Sequence, residues 1–159
     1  MAKTVNPIPP GFHTIVPHLT VNGAARFMDF LKKAFGAEEL SRSAIPDGRL
    51  MHVLARIGDS MLMFNDDFPE RCGAPIAEGR WPMALNLCVP DADATWAQAV
   101  AAGCQETFPL ADQFWGDRYG QVKDPFGFTW AISTRKEELT PEEIMTRQKA
   151  LFGGAQGAA

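Results

Sequence analysis

With 159 residues, 46% of them hydrophobic and 21% charged, the chain is sized and composed for one globular domain spanning 1–159, and disorder is excluded. A net charge of -4, a pI near 5.3 and the lack of any basic run exclude nucleic acid and anionic membranes as partners. The opening MAKTVNPIPPGF has no apolar core of the signal-peptide kind and no stretch approaches a membrane span, so a cytoplasmic protein is expected.

In chain order, residues 1–10 are Pro-rich and aperiodic and read as an extended arm. Thr14 to Val21 alternates as a strand, with Ile15, Leu19 and Val21 on one face with Pro17, and Val16, His18 and Thr20 on the other. Pro17 inside the run suggests an edge position or a bulge. Asn22-Gly23 then opens a helix whose stripe is Phe27, Phe30, Leu31, Ala34 and Phe35, closed by Gly36. Strands follow over Glu38 to Ile45, Met51 to Ile57 and Ser60 to Phe64, the first two joined by a Pro46-Asp47-Gly48 turn. This is a β-α-β-β-β unit over about 14–64.

Asn65 to Pro82 reads as a linker, and its acids Asp66, Asp67 and Glu70 as a solvated loop without calcium-binding spacing. The order then repeats over about 83–134. Met83 to Val89 is a strand with Met83, Leu85, Leu87 and Val89 on one face and Ala84, Asn86 and Cys88 on the other. Asp91 caps a helix with apolar residues Ala92, Trp96, Ala99 and Val100, closed by Gly103. Strands over Glu106 to Ala111, Arg118 to Lys123 and Phe128 to Thr134 complete the second unit. Equivalent landmarks keep a near-constant offset: 67 positions for Gly36 and Gly103, 68 for Val21 and Val89, and 69 for Gly58 and Gly127. That is the mark of an internal duplication. Thr140-Pro141-Glu142-Glu143 is a capping box opening a helix to about 152, carrying Ile144, Met145 and Leu151; the chain from Gly153 is expected to fray.

Each first strand has a strongly apolar face, expected to lie under the following helix, and a mixed face. On the last strand Phe128, Trp130 and Ile132 are bulky while Thr129, Ala131 and Ser133 are small, which leaves room for a pocket. The candidate ligand-binding residues are therefore His18, Thr20, His52 and Asn86 on the mixed faces, joined by Trp115, Tyr119 and Gln121 around the Trp115-Gly116-Asp117 turn. Arg118 and Asp117 are read either as a ligand anchor or as a turn ion pair. Cys72, Cys88 and Cys104, odd in number and widely spaced, read as reduced thiols.

The segments VNGAARFMDFLKKAFGAEE, MHVLARIGDSMLMF and FWGDRYGQVKDPFGFTWAI, in a doubled β-α-β-β-β order, resemble the vicinal oxygen chelate superfamily of glyoxalases, bleomycin-resistance proteins and extradiol dioxygenases. FWGDRYG, DPFG and the tail ELTPEEIMTRQKALF are similar to its PhnB-like branch, and the resemblance runs from Ile15 to Phe152. It implies an α+β fold of two tandem βαβββ modules in a cup-shaped mixed sheet, with a C-terminal helix, and a homodimer. It also implies metal-ligand positions at Val16, at Leu62 or Met63, at Ala84 and at Ala131, all apolar here. Phe128 departs further, standing where many branch members carry His. No metal and no other cofactor is therefore expected. Three readings stay open: a binder of a small, partly aromatic molecule, a metal-dependent lyase, isomerase or dioxygenase with ligands rearranged around His18 and His52, and a non-catalytic scaffold.

Overall fold

The structure, a computed structural model, describes residues 7–72 and 83–152. Most of the expected arm, the second part of the expected linker and the segment from Gly153 lie outside the described residues.

Two compact units follow one another, Met1–Gly79 and Arg80–Ala159. In the first, β1 (His18–Val21), α1 (Ala24–Phe35), β2 (Glu38–Ala44), β3 (Leu50–Ile57) and β4 (Ser60–Asp66) are followed by the single turn α2 (Pro69–Cys72). The sheet order is β1-β4-β3-β2, with β1 parallel to β4 and the other pairs antiparallel. The second unit repeats this with β5 (Ala84–Cys88), α3 (Ala92–Ala101), β6 (Gln105–Asp112), β7 (Asp117–Lys123) and β8 (Thr129–Arg135) in the order β5-β8-β7-β6. α4 (Pro141–Phe152) ends the described chain. The α+β class, the tandem βαβββ modules and the C-terminal helix are thus present, each module making its own four-stranded mixed sheet.

One face of the first sheet is sealed by α1. Phe27, Met28, Leu31 and Ala34 are fully buried against Val21, Val53, Ala55 and Phe64, and the Phe27 and Phe64 rings meet edge to face at 5.0 Å. Full burial of each large side chain contributes about 1.5–3 kcal/mol. Gly36 ends α1 at φ +64, returning its N–H to Lys32. The start of α1 departs from expectation. Gly23 has no side chain to cap with, and Asp66 from β4 does the work, accepting the N–H groups of Gly23 at 2.9 Å and Ala24 at 2.8 Å. Its other oxygen accepts from Leu50 N at 2.7 Å. Asp66 is thus buried in β4, not solvated in a loop, because it satisfies three backbone donors from two other elements. Glu70 is held by Arg49, which also pairs with Asp47 and lies 4.5 Å over the Phe68 ring.

Other expectations are corrected by the register. The first strand starts at His18, not Thr14, since Pro17 has no N–H to offer and only its carbonyl joins the ladder, accepting from Met63 N. Ile15 is consequently 85% exposed. In the second unit the face under α3 is led by Trp130, Ile132 and Val122, all buried, while Leu85 and Leu87 are half-buried and Met83 and Val100 exposed. α3 packs through Ala92, Ala99 and the half-buried Trp96. Its N-cap is Asp91, accepting from Ala94 N at 2.9 Å; its C-cap is Ala102, with Gly103 one residue beyond at φ +107. The capping box of α4 is reciprocal, Thr140 N–H donating to Glu143 and Glu143 N–H to Thr140 Oγ1.

Candidate functional site

Because α1 and α3 take one face of each sheet, the opposite face carries every polar side chain singled out from the alternation. On the first sheet His18 stands beside Met63 and Thr20 beside Asn65 across the β1–β4 ladder. His18 and His52 come together, their rings edge to face with centroids 6.0 Å apart. Asn65 donates through Nδ2 to the Asp66 carbonyl, so its oxygen faces His18 Nε2 at 2.8 Å. With that amide oxygen as acceptor, Nε2 is the donor of the pair, and no partner for Nδ1 is present among the described residues.

On the second sheet two cross-strand rows hold the remaining candidates. Asn86, Ala131, Gln121 and Phe108 form one row; Cys88, Ser133, Tyr119 and Ala111 form the next. Gln121 donates to the Tyr119 hydroxyl at 2.6 Å, so the Tyr119 O–H is free to donate onward. Asn86 donates to Cys88 Sγ at 3.2 Å and to Ser133 Oγ at 3.4 Å. The amide oxygens of Asn86 and Gln121 have no partner among the described residues. Trp115 packs on Tyr119 at 5.5 Å, Phe108 also meets Tyr119, at 6.1 Å, and Phe114 packs on Trp115 at 5.0 Å. Trp115 is tethered by its Nε1–H to Asp117 at 3.1 Å. These rings are half-buried or, at Phe108, exposed. Arg118 is not paired with Asp117: it lies on the other face and bridges Asp93 and Asp112.

The structure also tests the positions implied for a metal. Met63 shares its row with His18, whereas Val16 precedes β1; Leu62 points into the core; Ala131 shares its row with Asn86. In the first unit the row-mates are one imidazole and one thioether, and in the second one amide and one methyl group. Neither pair fits a hard or borderline divalent ion, which takes several imidazole, carboxylate or thiolate ligands. Among the described residues no group of three or more His, Cys, Asp or Glu is arranged to hold a metal.

Reading the sequence missed Phe108 and placed Asn65 in the linker although it belongs to β4, and it gave Ser133 only as a small residue that leaves room. Their contacts with Tyr119, His18 and Asn86 depend on strand pairing, which the order of residues does not show. Cys88 and Cys104 differ sharply. Cys104 is buried, and desolvation pushes its thiol up to about 12, whereas Cys88 is exposed. At neutral pH N-ethylmaleimide is expected to label Cys88 within minutes and Cys104 only after unfolding, as read by peptide mass spectrometry.

The comparisons agree with this geometry. A sequence model of the Glyoxalase/Bleomycin resistance protein/Dioxygenase superfamily matches residues 11–132. The chain belongs to this superfamily. An uncharacterized protein of Mycobacterium bovis is 44% identical over 142 residues, covering 87% of this chain and 93% of its own. An uncharacterized Arabidopsis thaliana protein is 32% identical over 121 residues, covering 71% and 72%. Among solved structures, TioX from Micromonospora sp. ML1 is 27% identical with a TM-score of 0.62, covering 78% of this chain and 99% of TioX. Within the superfamily, then, this chain has the doubled module, each unit with its own four-stranded sheet. Among the described residues no helix is long and apolar enough to cross a membrane.

Proposed function

We propose that this superfamily member is a cytoplasmic homodimer of the PhnB-like branch that binds a small, partly aromatic molecule on its open sheet faces, without a resident metal. Its two units act together as one domain. The observation that carries the reading is the ring cluster of Trp115, Tyr119 and Phe108 beside the amide oxygens of Asn86 and Gln121, which have no partner among the described residues. Aromatic rings left half out of water next to fixed polar atoms are what recognition of a planar molecule needs: area for stacking, and a few groups that set orientation. His18, Thr20 and His52 supply the polar face of the first sheet.

The test has two arms. Elemental analysis of the purified protein is expected to find far less than one zinc, nickel, iron or manganese ion per chain, with thermal stability unchanged by chelator. A panel of planar aromatic compounds is then titrated. Compounds that bind the wild type are expected to lose about tenfold in affinity on Trp115→Ala, from the stacking that one ring supplies. A retained stoichiometric metal overturns the metal-free reading, and binders indifferent to both Trp115→Ala and Gln121→Ala overturn the site.

A further inference from the structure

The open face of the second sheet has a cation at one end. Lys123, the last residue of β7, follows Tyr119 and Gln121 on the same face, since Gly120 and Val122 between them are buried towards α3. Its cross-strand neighbours are Thr129 and Gln105, both uncharged. It is half-buried, and among the described residues no hydrogen-bond or ion-pair partner meets its ammonium. The other charges near this face are engaged and lie at the far end: Asp117 accepts from Trp115, and Arg135 faces Glu138 at 3.7 Å. Between the two ends, the rows holding Asn86, Gln121, Cys88 and Tyr119 contain no carboxylate and no basic side chain.

Resting on the reading of this face as a ligand site, we infer that the molecule it takes is a planar aromatic monocarboxylate, its rings on Trp115 and Tyr119 and its carboxylate on the Lys123 ammonium. From Tyr119 to Lys123 the strand advances roughly 13 Å, a span filled by a small fused ring system, its carboxylate and a lysine side chain. The charge on offer is a single compact ammonium. Among the described residues no planar Arg fork stands at the Lys123 end, Arg135 lying at the far end opposite Asp117, and no helix N-terminus lies among the face residues, so the site matches one negative charge and not a phosphate carrying nearly two. The free O–H of Tyr119 and the open oxygens of Gln121 and Asn86 meet a donor or acceptor on the ring edge. The two ends of the face thus assign the two ends of the ligand.

Matched acid and amide pairs test this: benzoate and benzamide, 2-naphthoate and 2-naphthamide, indole-3-acetate and indole-3-acetamide. Binding is measured by calorimetry on the full chain, alongside protection of Cys88, one cross-strand neighbour from Ser133, against N-ethylmaleimide. In the wild type at low salt, at least one acid is expected to bind about tenfold more tightly than its amide and to shield Cys88. The preference should shrink as salt rises. Lys123→Met and Lys123→Gln should bring the acid-to-amide ratio close to one while leaving amide binding intact, and Lys123→Arg should preserve the preference. Equal binding of acid and amide by the wild type, or an acid preference that survives both neutral variants, overturns the carboxylate assignment and leaves the ligand-site reading standing. If no compound binds or shields Cys88, both fall together.

Discussion

Asp124→Ala is expected to lower the unfolding free energy by about 4 kcal/mol, enough to shift the melting temperature by roughly 8–16 °C in a chain of this length. Asp124 is almost fully buried and accepts three hydrogen bonds: from Phe126 N and Phe128 N at 2.9 Å, and from the Trp130 indole N–H at 2.8 Å. It ties the turn between β7 and β8 to Trp130, the largest fully buried side chain among the described residues. Alanine leaves that indole and two turn amides without acceptors, each costing about 1–3 kcal/mol if water cannot reach it. Burial lifts the Asp124 carboxyl above the ordinary aspartate range, with the three donors pulling the other way. A raised folded value means that the folded state holds the proton more tightly than the unfolded chain. The contribution is therefore fully present below the unfolded value, about 3.9, and is lost as pH rises through the folded value. Denaturant melts of wild type and Asp124→Asn across pH should show the gap between them narrowing from pH 4 towards neutrality. A gap that widens instead contradicts this account, and a loss under 1 kcal/mol for Asp124→Ala contradicts the brace itself.

Gly120→Ala should cost about 3 kcal/mol, for a purely steric reason. Gly120 lies mid-strand in β7 facing α3, and an added Cβ would sit 2.6 Å from Trp96 Cζ3, 2.8 Å from Leu110 Cα and 2.9 Å from Leu110 N. The indole can tilt, but the Leu110 backbone lies at the register irregularity of β6, held between Phe108 and Ala111, which are both paired with β7, so its retreat would strain those flanking pairs. The change is expected to lower the melting temperature by roughly 6–12 °C. Trp96→Ala introduced with it should recover only part of the loss, since the backbone contact remains. Gly58→Ala is the control: nothing lies within 4 Å of its added Cβ, so its φ of +59 leaves only the left-handed penalty of about 1–2 kcal/mol. If Gly120→Ala is no worse than Gly58→Ala, close approach is not why a glycine stands there.

Both effects show where sequence reading stops. The Asp-Pro-Phe-Gly turn was legible, and its local part, Phe126 N–H to Asp124, follows from turn chemistry. That Trp130 would reach back to the same carboxylate was not, because it depends on how β7 and β8 pair beyond the turn. Gly120 read as one more residue of an alternating run, yet its need for glycine comes from Trp96, 24 positions earlier. Asp66 was misread for the same reason: in sequence it heads an acidic run, and in space it faces the bare N-terminus of α1. Lys123 gave no signal at all, since a lone lysine beside a turn is ordinary until its neighbours across the sheet prove uncharged.

The amino-acid order by itself determined the two β-α-β-β-β modules, the reciprocal capping of α4, and which face of β1 and β8 carries the apolar weight. These depend on periods of 2 and 3.6 residues and on turn chemistry, all of which act within a few positions along the chain. Only the tertiary structure decided that His18 meets Asn65 and His52, that Asn86 meets Ser133, and that the cross-strand neighbours of Lys123 are uncharged. Those neighbours are set by strand register and by the bulges in β2 and β6, across separations of up to 47 residues. Alternation fixes the face a side chain occupies, but a shift of register changes whom it faces there.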